Sequence, residues 1–124
     1  MSNILFHSEE HKCFFTEKIS ENGADVYYSP LVYLMGLTEE TRGHFKDCFS
    51  EEERGINPAA LEANWQTGTT DKITRLAFNL WNGWVSSPEE EAYTPYHLFC
   101  CEFAPFFYEA IKLRYPEYTR GGIE

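Results

Sequence analysis

Two pairs of residues in this chain could bind a soft metal ion. His44 and Cys48 stand four apart, as do His97 and Cys101, and Cys100 adjoins the second pair. A four-residue step puts both members of a pair on one helix face. Two such helices facing each other would build a tetrahedral Cys2His2 zinc site, since thiolate and imidazole both suit that ion. No CxxC or HExxH signature supports it. Small buried cysteines and capped or exposed histidines are the commoner arrangement. The expectation is therefore no metal and no cofactor, with His44, Cys48, His97 and Cys101 as the weak candidates. A second chemistry is nucleophilic. Cys100 or Cys101 near a helix start would have a lowered pKa, and His97 lies one turn away. Catalysis also needs an orienting third group and an oxyanion hole. The spacing supplies neither, so no catalytic residue is assigned and a non-enzymatic role is expected.

A third candidate is the polar region from Asn64 to Asn82. Trp65, Thr69 and Thr70 form a polar and aromatic turn, and Lys72, Arg75, Asn79 and Asn82 line one face of the following helix. A helix N-terminus with hydroxyls and cations can hold an anion. A solvated helix face with two caps is the plainer account, so a small enzyme or anion-binding domain here is the alternative reading. The fourth candidate is acidic. Glu51, Glu52 and Glu53 form one run and Glu89, Glu90 and Glu91 another, with Glu9-Glu10 and Glu39-Glu40 besides. Each run alone is explained by helix dipoles and solubility. Together they suggest a surface that meets a basic protein.

The charge balance agrees. The 124 residues carry 20 acids and 10 Lys or Arg, a formal charge of −10. Such a field repels phosphate backbones, which disfavours direct binding of free DNA or RNA. It suits a basic partner, above all one whose groove normally holds nucleic acid. Hydrophobic residues make up 43% and aromatics 17%, too many for intrinsic disorder. No apolar run reaches membrane-span length, and the first residues lack the pattern of a signal peptide. A cytoplasmic location follows as the expectation, with Cys13, Cys48, Cys100 and Cys101 reduced.

The elements that must position these residues are helices. The punctuation predicts a mainly α, single-domain bundle over 1–124, with five to six helices and at most one short β-hairpin. Ser8 caps a helix to Asn22, and Gly23 stops it. Ser29-Pro30 opens a second that stops at Gly36. Thr38 caps a third, presenting Thr41, Phe45, Cys48 and Phe49 inward. Asn57-Pro58 caps a fourth. The strongest pattern runs from Asp71 to Trp84, with Ile73, Leu76, Ala77, Leu80, Trp81 and Trp84 at core-facing spacing. This helix is expected at the centre, against the C-terminal helices. Ser87-Pro88-Glu89-Glu90 could start one turn by a capping box. Thr94-Pro95 opens a last region to Arg114, interrupted at Pro105 by a kink or a break.

The stretches Asp25-Val-Tyr-Tyr-Ser-Pro-Leu-Val-Tyr, Trp65-Gln-Thr-Gly-Thr and Phe103-Ala-Pro-Phe-Phe-Tyr-Glu-Ala-Ile-Lys-Leu-Arg-Tyr-Pro-Glu-Tyr resemble an uncharacterised family, a domain of unknown function. Its members are small proteins from Gram-positive gut bacteria and their mobile elements. The resemblance spans nearly the whole chain. It implies a bacterial cytoplasmic setting and a part in conflict between mobile elements and host defences. With the acidity and the aromatic content, it points to a non-enzymatic protein-binding module. The expected form is an anti-CRISPR-like inhibitor of a host nucleic-acid-binding defence protein. A zinc-stabilised accessory protein is the second alternative.

Overall fold

The computed structural model describes residues 4–86 and 88–119. Among them the chain forms helices α1 (Glu9–Asn22), α2 (Tyr28–Met35), α3 (Glu39–Gly43) and α4 (Phe45–Cys48). A small antiparallel hairpin follows, pairing β1 (Phe49–Ser50) with β2 (Gly55–Ile56). A 3-10 turn (Pro58–Glu62) leads to α5 (Gly68–Asn82), and a second one (Glu90–Tyr93) to α6 (Pro95–Leu98), α7 (Ala104–Arg114) and α8 (Pro116–Thr119). No described helix is long and apolar enough to cross a membrane.

The core is built around α2. All eight of its residues, Tyr28–Met35, are buried. A helix buried on every face must be surrounded; α5, α7 and α1 supply the enclosing surfaces. The long helix α5, predicted to lie at the centre against the C-terminal helices, packs chiefly on α2 instead. It turns Ile73, Leu76, Ala77, Phe78 and Leu80 inward and leaves Trp81 and Trp84 half-buried.

The ends of α2 are satisfied by side chains from elsewhere. Ser29 was the predicted cap, but Asp25 does this work. Its Oδ1 accepts the Tyr27 and Tyr28 N–H groups at 2.8 and 2.6 Å, and the helix starts two residues earlier than expected, at Tyr28. Val26 and Tyr27, between Asp25 and the helix, form a turn. At the other end, His11 Nε2 donates to the Tyr33 carbonyl at 2.7 Å and Arg42 Nη1 to the Gly36 carbonyl at 2.8 Å. Gly36 sits where α1 comes closest: a methyl group there would lie 2.9 Å from Phe14 and 3.0 Å from His11.

Other boundaries follow local chemistry. Ser8 caps α1 as predicted, accepting the His11 N–H, and Gly23 ends it. The Thr38–Thr41 capping box opens α3, and Thr41, Phe45, Cys48 and Phe49 are all buried, as their spacing predicted. The predicted third helix breaks at His44 into α3 and α4. Asn57 does not cap; its Nδ2 donates to the Asp47 carbonyl, and the segment after it is 3-10. The α5 helix begins earlier than Asp71, because Thr67 and Thr70 form a capping box. It stops before Trp84, because Gly83 takes the left-handed conformation (φ 79°) that glycine adopts without strain. The predicted cap at Ser87 lies outside the described residues. The expected interruption at Pro105 takes the form of a break: the region divides into α6 and α7, and Pro105 falls in the first turn of α7. The helix count rises from the predicted five or six to eight described ones through these breaks, together with the short α8 that begins at Pro116.

Leu34, fully buried in α2, reports on this arrangement. Leu34→Ala should lower unfolding free energy by about 2–5 kcal/mol, the usual cost of an unfilled leucine site. Thr16→Ala, on the exposed face of α1, should change it by less than about 0.5 kcal/mol. Chemical denaturation of both variants checks the contrast.

Candidate protein-binding surface

The six acids expected at a partner surface separate into two kinds. Glu51 lies at the edge of the core with only 26% of its side chain exposed. Its carboxylate accepts the Tyr28 hydroxyl at 2.9 Å and Asn22 Nδ2 at 3.3 Å, and pairs with Lys18 at 3.4 Å. Burial, and after it the Glu51 carboxylate, pushes the Tyr28 phenol far up, so it stays a donor. Glu51 thus fastens the hairpin to α1 and α2. Glu89 is also engaged, accepting from Ser86 Oγ and Arg75 Nη2 at 3.1 Å each. Glu52, Glu53, Glu90 and Glu91 are exposed and, among the described residues, form no ion pair.

The polar face of α5 is largely consumed internally. The Arg75 side chain is only 13% exposed. It binds Asp71 at 2.7 Å, Ser86 Oγ at 2.9 Å, Tyr93 Oη at 3.2 Å and Glu89, and lies over the Tyr93 ring. Asn79 donates to the Trp84 carbonyl at 3.3 Å, and Asn82 Oδ1 accepts the Trp84 N–H at 3.1 Å. Thr70 is buried in the capping box and donates to Gln66 Oε1. Trp65 stacks on His44 with ring centres 4.3 Å apart. Lys72 and Thr69 are half-buried. Arg75, Asn79 and Asn82 thus hold the segment after α5 onto its polar face.

The metal candidates also have separate surroundings. His44 bonds Asp47 at 2.9 Å beside its Trp65 stack. Cys48 is fully buried, and burial with the nearby Asp47 pushes its thiol up to about 12, leaving it protonated. Cys101 donates to the Leu98 carbonyl, and the exposed His97 meets the Tyr96 ring edge-on. Among the described residues no three His, Cys, Asp or Glu side chains converge to hold an ion. The run from His7 to His11 does carry the order H-x-x-E-H seen in some zinc peptidases. Both His11 ring nitrogens are already bonded inside the fold, to the His7 N–H and the Tyr33 carbonyl.

The structure adds a surface that the charge pattern did not reveal. Arg114, in the last turn of α7, donates from Nε to the Leu80 carbonyl of α5 at 2.9 Å. Its guanidinium lies 4.1 Å from the centre of the Tyr27 ring and 4.7 Å from that of Tyr115. Tyr27 is 46% exposed, and Tyr118, just beyond, 78%. Tyr108, two turns before Tyr115 on α7, is 54% exposed. Arg114 thus satisfies an orphan carbonyl near the end of α5 while holding two tyrosines at the surface. The seven-residue step from Tyr108 to Tyr115, out of phase with the buried Phe107 and Ala110, was the available sequence signal. Exposed Tyr and Arg are the types that dominate binding energy at protein interfaces.

The model of a family described as being of unknown function (DUF6075) matches residues 1–123, and the chain belongs to that family. No curated protein and no solved structure matches the chain.

Arg75→Ala should leave Asp71 and Glu89 without their cation. The expected loss is about 1.5–3 kcal/mol, the range for hydrogen bonds to charged groups. Faster limited proteolysis within residues 84–93 should accompany it. Unchanged stability and cleavage would show that the Arg75 network does not fasten this segment.

Proposed function

We propose that this member of the family of unknown function is a non-enzymatic binding module that docks on a basic protein surface. The observation that carries the reading is the exposed tyrosines: Tyr27 and Tyr115 stand against Arg114, and Tyr108 and Tyr118 are exposed besides, on a chain whose formal charge is −10. The two features do different work. Net negative charge, with Glu52, Glu53, Glu90 and Glu91 exposed, accelerates encounter with a positive partner. Tyrosines present large contact area at low conformational cost, and supply contact energy once solvent is expelled. A protein groove that normally holds nucleic acid has the matching charge. A host defence protein presents such a groove, and the anti-CRISPR-like inhibitor is the form this reading takes in that setting.

The test uses the intact chain as bait in a bacterial lysate, followed by kinetics on the purified captured protein. Reversing Glu52, Glu53, Glu90 and Glu91 to Lys should slow association and flatten its salt dependence. Tyr108→Ser with Tyr118→Ser should leave association nearly unchanged and speed dissociation at least tenfold. A partner whose two rates ignore both variants, or a partner surface that is acidic, would overturn the reading.

A further inference from the structure

Residues 4–7 lie across the outside of α1, α2 and α7. Phe6 sits among aromatic rings, 5.1 Å from His11, 5.6 Å from Phe15 and 5.9 Å from Tyr33. The His7 ring meets Phe103 at 5.1 Å and Phe106 at 5.3 Å. Three hydrogen bonds hold the backbone. The Leu5 N–H donates to Glu109 Oε2 at 3.3 Å, and the Leu5 carbonyl accepts the Tyr33 hydroxyl. The His7 N–H donates to His11 Nδ1 at 3.0 Å.

His11 is fully buried. Its Nε2 faces the Tyr33 carbonyl at 2.7 Å and must donate, while Nδ1 faces an N–H and must accept. One neutral tautomer meets both demands. A second proton on the ring would turn Nδ1 into a donor pointing at a donor. The other charged groups around it do not welcome that proton: His7 stands on the same segment and Arg42 comes from α3. Glu109 and its ion-pair partner Lys112, on α7, act at the Leu5 end.

We infer that residues 4–7 are a pH-gated strap, in which proton uptake by His11 removes the acceptor of the His7 N–H and lifts the segment from the aromatic floor of Phe15, Tyr33 and Phe106. This gate is independent of the binding surface around Arg114. Burial is the main reason that His11 protonation is held down to about 4; the Tyr33 bond opposes the shift, and His7 and Arg42 add to it. A free imidazole titrates near ~6.5. The proton therefore prefers the open strap. The closed state has its full advantage above about pH 6.5 and loses it as pH falls toward 4. If the open strap exposes His11 to water, the opening equilibrium should grow on the order of 100-fold between pH 7 and pH 4.

The experiment is amide hydrogen exchange by NMR, read as protection factors for Leu5 and His7 against those of Ile73 and Leu76 in α5. Between pH 7 and pH 4 the strap protection should fall about 100-fold while the α5 amides keep theirs. His11→Asn retains an acceptor near the Nδ1 position without a titrating ring, and should make strap protection independent of pH over this range. Strap protection that holds constant in the wild-type protein overturns the proposal. Loss of protection in the strap and in α5 together also overturns it, since His11 would then report only global unfolding. The wild-type titration decides the matter even where His11→Asn fails to fold.

Discussion

Complete burial of α2 is the constraint on which the rest of the structure depends. Tyr28–Met35 touch no solvent to any useful degree, so an apolar neighbour is needed on every side. The enclosing surfaces of α1, α5 and α7 meet that need. The burial also strands polar groups, which cost heavily when unpaired. Tyr28 and Tyr33 carry hydroxyls into the interior, and the carbonyls of Tyr33 and Gly36 end the helix. Each has a partner: Glu51 and Asn22 at Tyr28, Leu5 at the Tyr33 hydroxyl, His11 and Arg42 at the carbonyls. Among the described residues no buried side-chain nitrogen or oxygen lacks a hydrogen bond.

These partners explain why peripheral segments sit where they do. The hairpin turn is drawn to the α1–α2 junction because Glu51 answers Tyr28. The segment 4–7 is drawn across the surface because Leu5 answers Tyr33 and His11 answers His7. At the far side, Arg114 joins α7 to the end of α5 and props Tyr27 and Tyr115 outward. The same bonds that satisfy the core therefore decide which side chains are left for a partner. Glu51 and Glu89 are tied inward by them, whereas Glu52, Glu53, Glu90 and Glu91 stay exposed.

Much of the local structure was legible in the sequence, because it is written in short-range chemistry. Ser8, Thr38 and the glycines 23 and 36 mark helix ends, and the three-and-one spacing from Ile73 to Leu80 marks the buried face of α5, although the same spacing carried the expected helix past its stop at Gly83. The central place of α2 was not legible. Eight residues are too few to show a period, and a helix buried all round has no polar face to reveal its phase. The split between tied and exposed acids was equally hidden. Glu51 and Glu52 are neighbours in a run of identical residues, and contacts distant in the chain, at Tyr28, Asn22 and Lys18, tell them apart. The Arg114 surface depends on pairing residues 87 positions apart, so composition disclosed its tyrosines but not their assembly.

Native-state hydrogen exchange of the α2 amides, followed against denaturant, tests the central role of this helix most directly. The account predicts that the amides of Val32 to Leu34 open only with the whole molecule. Their opening free energy should equal the global unfolding free energy, and their denaturant slope should equal the global slope. Exchange of α2 through a smaller, denaturant-insensitive opening, while α5 amides remain protected, would show that the fold stands without α2 as its axis.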